Sequence, residues 1–370
     1  MATIKAPSRS ASTQRGIQIP GPSEPSLRGA TAGRPAASCR TLLAAAALCA
    51  LAGCSAEAPE PLEIRFDARM GEQPARCGER FGGVGTGGGP VELADARFYV
   101  SEVELGRGDG TWVPIELDQE SPWQHGNVTL LDFEDASGRC SDMGTAQMNA
   151  AVRGAAPAGD YKGLRFTFGV PHELNHLDAP TAPTPLNLNA LYWNWRLGYI
   201  FTKVEFWNPG VDSVVDAAGG ASPAETASES KAPDAATAGE PGSAEPAAAA
   251  LPAPRPTVTY LTHFGSTGCT SPAITAPPAE ECSRPNRVTV TLADFDPALD
   301  VVALDLAALV DGIDITTSVP RPPGCMSGPA DPDCVQVFAN LGLDLETGRC
   351  ADGDCGGQKV ASRAAAGGGG

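Results

Sequence analysis

Four histidines stand against eleven cysteines in this 370-residue sequence, so the histidines are the scarcest side chains that could do chemistry. Their contexts are Trp123-Gln124-His125, the run Pro171-His172-Glu173-Leu174-Asn175-His176, and the run from His263 through Gly265-Ser266-Thr267-Gly268 to Cys269. Three of the five tryptophans, Trp123, Trp193 and Trp195, lie in these motifs or between them. At strand spacing Trp193 and Trp195 point to one face. The bland reading of two such indoles is core packing, and of a lone loop histidine a hydrogen bond. Converging histidines would instead make a metal site. Imidazole suits copper, zinc, iron and nickel, so spacing alone does not name the metal.

His172-Glu173-Leu174-Asn175-His176 matches H-E-x-x-H, in which two histidines one helical turn apart hold zinc and the glutamate is the general base. That motif needs a helix. Pro171 suits a helix start, but Pro180 and further prolines leave room for barely two turns, and no third ligand follows in a helical context. A zinc metallopeptidase using His172, Glu173 and His176 is therefore an alternative to a binding protein. Gly265-Ser266-Thr267-Gly268 is not the G-x-S-x-G of a nucleophile elbow. Gly83, Gly85 and Gly88 fit G-x-G-x-x-G, but no βαβ unit surrounds them, so a flexible loop is expected. No general base pairs with a nucleophile, and the sequence reads as a binding protein rather than an enzyme.

The elements that must position these residues are strands. The 43 Gly and 34 Pro argue against a mostly helical fold. Leu62, Ile64 and Phe66 alternate with charged residues, as on a half-buried strand. Strands are also expected at 97–105, with a bulge where the alternation shifts, and at 112–117, 128–133, 163–170, 199–206, 257–263 and 288–292. Short strands with turns between them predict an all-β fold, an antiparallel β-sandwich-like core with long loops. The one good helix candidate is Pro297–Val310. Residues 62–355 form one β-domain, interrupted at 208–256 by an Ala/Pro/Gly/Ser stretch too poor in apolar residues to order itself. The tail 356–370 is expected to be disordered.

Charge and cysteines place the chain. Residues 1–53 hold six basic residues and one acid, +5, and the formal charge of −18 leaves −23 for the remainder. An acidic body repels phosphate and disfavours nucleic acid. The apolar run 41–50 follows Arg34 and Arg40 and ends in Leu51-Ala52-Gly53-Cys54. This resembles a lipoprotein signal with an over-long start, in which Cys54 is lipidated and residues 54–61 are a tether. Localisation in the bacterial cell envelope, lipid-anchored in the outer membrane or facing the periplasm, would follow. No other apolar run is long enough to span a bilayer. Beyond the leader eight cysteines remain, and an even count in an exported chain reads as a disulfide set. Proximity favours Cys269–Cys282, Cys325–Cys334 and Cys350–Cys355, which leaves Cys77–Cys140.

Ten motifs in order carry a resemblance. They are Cys77-Gly78, Arg97-Phe98-Tyr99-Val100-Ser101, Trp123-Gln124, Leu130 to Glu134, Gly169-Val170-Pro171, Leu174-Asn175-His176, Tyr192-Trp193-Asn194-Trp195, Gly198-Tyr199, His263 to Cys269 and Gly324-Cys325-Met326-Ser327. The succession resembles the MbnP-like proteins, also called metallo-mystery pair, four-Cys motif proteins. The resemblance implies an exported, β-rich protein that binds copper, as Cu(I). It implies a partner, a diheme protein related to MauG and the bacterial cytochrome c peroxidases, which oxidises a tryptophan to kynurenine. Ring opening turns an apolar indole into an aniline nitrogen and a carbonyl, both able to ligate metal. By the resemblance His176 and His263 are the best ligands, with His125 third. Trp193 or Trp195 is the best candidate for oxidation and Trp123 the rival. His172 matches no family position, which would make H-E-x-x-H a coincidence, and Met326 is a candidate soft ligand whose alternative role, the one expected, is packing beside a disulfide. A structural or adhesion-type surface module without metal is the alternative from another class.

Overall fold

The computed structural model describes residues 58–142, 144–208, 258–316 and 324–366. The leader, Cys54 and nearly all of the 208–256 stretch lie outside these residues. Ten principal strands build two sheets: β1 (Pro59–Met70), β2 (Val91–Arg107), β3 (Val128–Asp132), β4 (Ala151–Pro157), β5 (Tyr161–Phe168), β6 (Thr202–Asn208), β7 (Val258–Phe264), β8 (Val288–Ala293), β9 (Asp300–Asp305) and β10 (Ala361–Ala365). The smaller sheet runs β10-β9-β1-β4 and ends on Glu116–Leu117. The larger runs β8-β5-β2-β6-β7 and ends on Gly324–Cys325, with β3 on a further edge of β2.

Alternation dictates the packing. Ile64 and Phe66 of β1 and Val302 and Leu304 of β9 meet Phe98, Phe166, Phe168, Val204, Phe206 and Val290 of the larger sheet in one core. Phe66 and Phe166 pack edge to face across the two sheets, ring centroids 5.5 Å apart. The sandwich is as expected, but it is not wholly antiparallel. β1 runs parallel to β9, and β7 parallel to Gly324–Cys325. The anticipated bulge in β2 falls at Glu102, whose φ is +55°, and there the register with β5 shifts.

Five expectations are corrected. Pro297–Val310 is not a helix. β9 occupies 300–305, and only Leu306–Leu309 turns helically, capped by Asp305, whose carboxylate accepts from the amide of Ala307 at 3.0 Å. β9 lies between β1 and β10 with both faces largely covered, so its apolar run lacks alternation and reads like a buried helix. The tail is ordered at 361–365, where β10 pairs with β9, and the proposed tether already contributes Pro59–Pro61 to β1. The 199–206 strand divides at Ile200. Gly198–Tyr199 pairs with Tyr192–Asn194 in a separate hairpin, and 202–208 joins the larger sheet. The 112–117 strand likewise divides between the two sheets.

All four disulfides form as proximity suggested: Cys77–Cys140, Cys269–Cys282, Cys325–Cys334 and Cys350–Cys355. The glycine-rich loop leads into β2 and not into the helix that a dinucleotide fingerprint requires. Gly85 has φ +65°, and a Cβ there would lie 2.3 Å from the Ile313 carbonyl. Gly85, Gly87 and Gly89 thus allow close packing against 313–316, while Gly83 and Gly88 stand in open space.

Because β10 covers the edge of β9, deleting residues 361–370 is expected to lower the urea midpoint of unfolding. An unchanged midpoint would return this segment to a disordered tail.

Candidate metal centre

The outer face of the larger sheet does not face water. Tyr99, Val128 and Leu130 form a second, smaller cluster with Val170, Ala179, Leu186, Leu191, Tyr199 and Phe201, supplied by the long connection between β5 and β6. Trp123, Leu174, Leu177 and Tyr192 pack on its margin. Tyr99 and Tyr199 meet edge to face at 5.6 Å, and their hydroxyls donate to the carbonyls of Pro185 and Leu186. Burial raises the pKa of both, so they stay protonated hydrogen-bond donors.

The connection opens with a single helical turn, α1 (His172–Asn175). This turn is the whole helical part of H-E-x-x-H, and Glu173 is exposed at its start. A zincin helix is therefore absent among the described residues. The turn nevertheless brings the rings of His172 and His176 together, with centroids 5.3 Å apart. Asn175 fixes the turn. Its side-chain oxygen accepts from the amide of Tyr199 at 2.9 Å, and its nitrogen donates to Ser266 Oγ at 3.3 Å. Position 198 must be glycine, since its φ is +80° and a Cβ would lie 2.4 Å from the Asn175 carbonyl oxygen.

His176 is buried, and its Nδ1 lies 3.0 Å from the carbonyl of Trp195. Donation to that carbonyl places the proton on Nδ1 and makes Nε2 the acceptor nitrogen, which the Asn175 side-chain nitrogen approaches at 3.3 Å. Ligating histidines are commonly oriented by such a bond. Burial lowers the His176 pKa, the Trp195 carbonyl opposes this, and His172 adds to it. The imidazole is thus neutral, as a metal ligand must be. The Nδ1 of His172 is buried without a hydrogen-bond partner. An orphaned imidazole nitrogen beside a pre-oriented one fits a cation that takes nitrogen donors. Nε2 of His176 also lies 3.7 Å from Cys282 Sγ. His176, Cys269 and Cys282 form a group whose ligand atoms lie within 4.8 Å of one another, although both sulfurs are joined in a disulfide.

The two motifs singled out by resemblance do converge, but not through both histidines. Ser266 reaches Asn175, and Trp193 lies over Gly265, its ring 2.8 Å from where a Cβ would stand. His263 takes another partner, its Nε2 lying 2.7 Å from Glu205 Oε1. His125 sits half-buried on the short strand Gln124–His125, and the adjoining Gly126 abuts Leu174. Trp193 and Trp195 are half-buried. The strand ends at Asn194, whose side chain accepts from the amides of Arg196 and Leu197, so strand spacing does not extend to Trp195. Met326 is half-buried next to disulfide-bonded Cys325.

Sequence reasoning missed the charged row beside this site. His263, Lys203, Arg97 and Asp132 stand in register on β7, β6, β2 and β3. Arg97 pairs with Asp95, and Lys203 Nζ lies 2.7 Å from Asp95 and 3.3 Å from Glu205. Burial opposes the charge on Arg97, but the acidic side chains around it, Asp95 foremost and then Glu134 and Asp132, together outweigh it and hold the guanidinium protonated. Glu205 stays below the usual range against its own burial, through the bond to His263 and the charge of Lys203. Glu134 is completely buried and lies 3.2 Å from Arg97 without an aligned hydrogen bond. Burial, then the Asp95 carboxylate, push Glu134 up to about 8, and burial pushes Asp132 up to about 6. The overlooked signal was charge of both signs at alternating positions inside otherwise apolar strands.

A disulfide-stapled β-sandwich with a His and Trp site built by loops on the outer face of its larger sheet is the class of protein these features define. The chain belongs to the MbnP family, whose model matches residues 59–327. It is similar to the solved structure of MbnP from Methylosinus trichosporium, at 30% identity and a TM-score of 0.61, covering 84% of this chain and 99% of that one. Among curated proteins none matches.

Two outcomes follow for the charged row. Glu134 keeps a proton in the fold that the unfolded chain releases near pH 4.5, so its contribution to stability falls as pH rises from there to about 8. Melting temperatures across that window should decline less steeply for Glu134→Gln than for the wild type. Lys203→Met leaves Asp95 and Glu205 short of a buried cation, and urea titration should show a loss of about 3–5 kcal/mol.

Proposed function

We propose that this protein binds copper, as Cu(I), in the cell envelope and takes part in copper acquisition or handling. Membership of the MbnP family points to a copper-handling role related to methanobactin. The observation that carries the reading is the His172–His176 pair: two adjacent rings, one with an orphaned buried nitrogen, the other with its lone pair set by the Trp195 carbonyl. His176 through Nε2 and His172 through Nδ1 would hold the ion. Few-coordinate nitrogen and soft donors in a site shielded from water favour the cuprous state. His263 is the further candidate from the resemblance, provided Glu205 releases it. His125 stands at the edge of the same loop cluster.

The partner in this proposal is a MauG-like diheme protein that oxidises one tryptophan to kynurenine. Trp193 and Trp195 are the leading candidates because both are half-buried and belong to the hairpin that touches His176 and Gly265. Trp123, half-buried on the margin of the aromatic cluster, is the rival. The protein is then a metal carrier and a substrate of its partner, anchored through Cys54, and not itself an enzyme. The exposed Glu173 and the single-turn α1 weigh against the peptidase alternative.

His176→Ala should reduce the copper content of the purified native protein to background by elemental analysis. His263→Ala should reduce it less. Peptide mass spectrometry should find kynurenine at 193, 195 or 123 in protein made together with the diheme partner. No copper affinity in the wild type, with every tryptophan unmodified, would favour the structural module, and full copper in His176→Ala would move the site away from His176.

A further inference from the structure

We propose that the Cys269–Cys282 disulfide is a reducible lock on a second donor set. Once reduced, its two thiolates and the Nε2 of His176 bind one thiophilic cation, Cu(I) or Zn(II). The inference rests on the reading above in one respect, the use of His176 as a ligand.

Three observations carry it. First, the donor atoms are already gathered, all three within 4.8 Å of one another, and Cys282 Sγ is 3.7 Å from Nε2. Two cysteines and one histidine make a donor set that soft and borderline metals prefer. Second, the backbone holds the cysteines together without their bond. Thr267 and Arg284 exchange backbone hydrogen bonds at 2.9 and 3.1 Å, and the Ser283 hydroxyl donates to Gly268 at 3.2 Å. The two Cα atoms are 4.1 Å apart beside this ladder, so cleavage leaves the thiols adjacent. His176 is held separately by Trp195. Third, positive charge waits beside the pair. The Arg284 guanidinium lies against Gly268, and its Nε is buried without a hydrogen-bond partner. A neighbouring cation favours thiolate over thiol.

Access fits the same picture. Cys269 is half-exposed between exposed Gly268 and Thr270, whereas Cys282 is buried against His176. A reductant can attack the outer sulfur and leave the inner one facing the imidazole. The reductant is a dithiol. Its first thiolate attacks Cys269 Sγ and displaces the Cys282 thiolate. Its second thiol then resolves the mixed disulfide, and the dithiol leaves as a cyclic or protein disulfide. Two electrons and two protons pass to the cysteines, and the cation displaces both thiol protons.

Purified full-length protein, oxidised or reduced with a dithiol and freed of it without air, is titrated with Co(II). Reduced wild type should bind Co(II) at least about tenfold more tightly than oxidised protein, since the two donor sets share Nε2 of His176, and should show a thiolate-to-metal charge-transfer band. Cys269→Ser/Cys282→Ser should lack the band, and His176→Ala should weaken uptake about tenfold or more. Alkylating the two thiols of reduced wild type should also abolish the band, a readout that does not depend on a variant folding. The band persisting after the double substitution would assign it to another cysteine pair and overturn the proposal. So would its absence from reduced wild type when peptide mass mapping finds Cys269 and Cys282 free. Copper bound by oxidised protein and kept by the double variant belongs to the His172–His176 reading, so either reading can fail alone.

Discussion

Arg97 is a guanidinium almost without water, and much of the outer face of the larger sheet follows from that. A buried cation persists only where carboxylates neutralise it. Asp95 does so from two residues away on the same strand, and Glu134 approaches from the segment beyond β3. Lys203 on β6 shares Asp95 and leads to Glu205 and His263. The row crosses four strands in register, so each strand fixes the lateral position of the next. His263 is drawn into this chain of pairs, which explains why a histidine at a metal motif faces a carboxylate.

The second constraint is steric. The connection between β5 and β6 covers Tyr99 and must fold back on itself within a few residues of Asn175. It manages this because Gly198 lets the hairpin backbone touch Asn175, and Gly265 leaves room for the Trp193 ring. The same folding turns the Trp195 carbonyl onto His176. Close backbone contacts therefore do two things at once: they close the aromatic cluster and orient the imidazole. The histidine pair, the tryptophans and the disulfide meet because a loop had to cover one face of a sheet.

Local pattern made much of the fold readable. Alternation at Leu62, Ile64 and Phe66 identified β1, and the slip around Glu102 revealed the bulge. Cysteine spacing gave all four bridges, since three pairs are close in the chain and the fourth follows by elimination. β9 was misread because an interior strand beside a parallel neighbour shows no alternation. β10 was missed because Ala361–Ala365 carries little side chain, and its place is set by the exposed edge of β9. Part of the site was legible too. The motifs around His176, Trp193 and His263 to Cys269 do meet, but spacing could not say that Ser266, rather than His263, makes the contact.

What the sequence determined by itself was class and inventory: a disulfide-stapled β-sandwich of the MbnP family, with few histidines gathered near tryptophans. These rest on periodicity, count and motif order, which are properties of the chain as a string. What only the tertiary structure decided was partnership. His172 stands beside His176, His263 is bound by Glu205, a disulfide faces an imidazole, and a charged row runs under the loops. Partnership depends on which strands become neighbours and in what register. That choice is settled by burial across the whole sandwich, between residues more than a hundred positions apart such as Cys282 and His176.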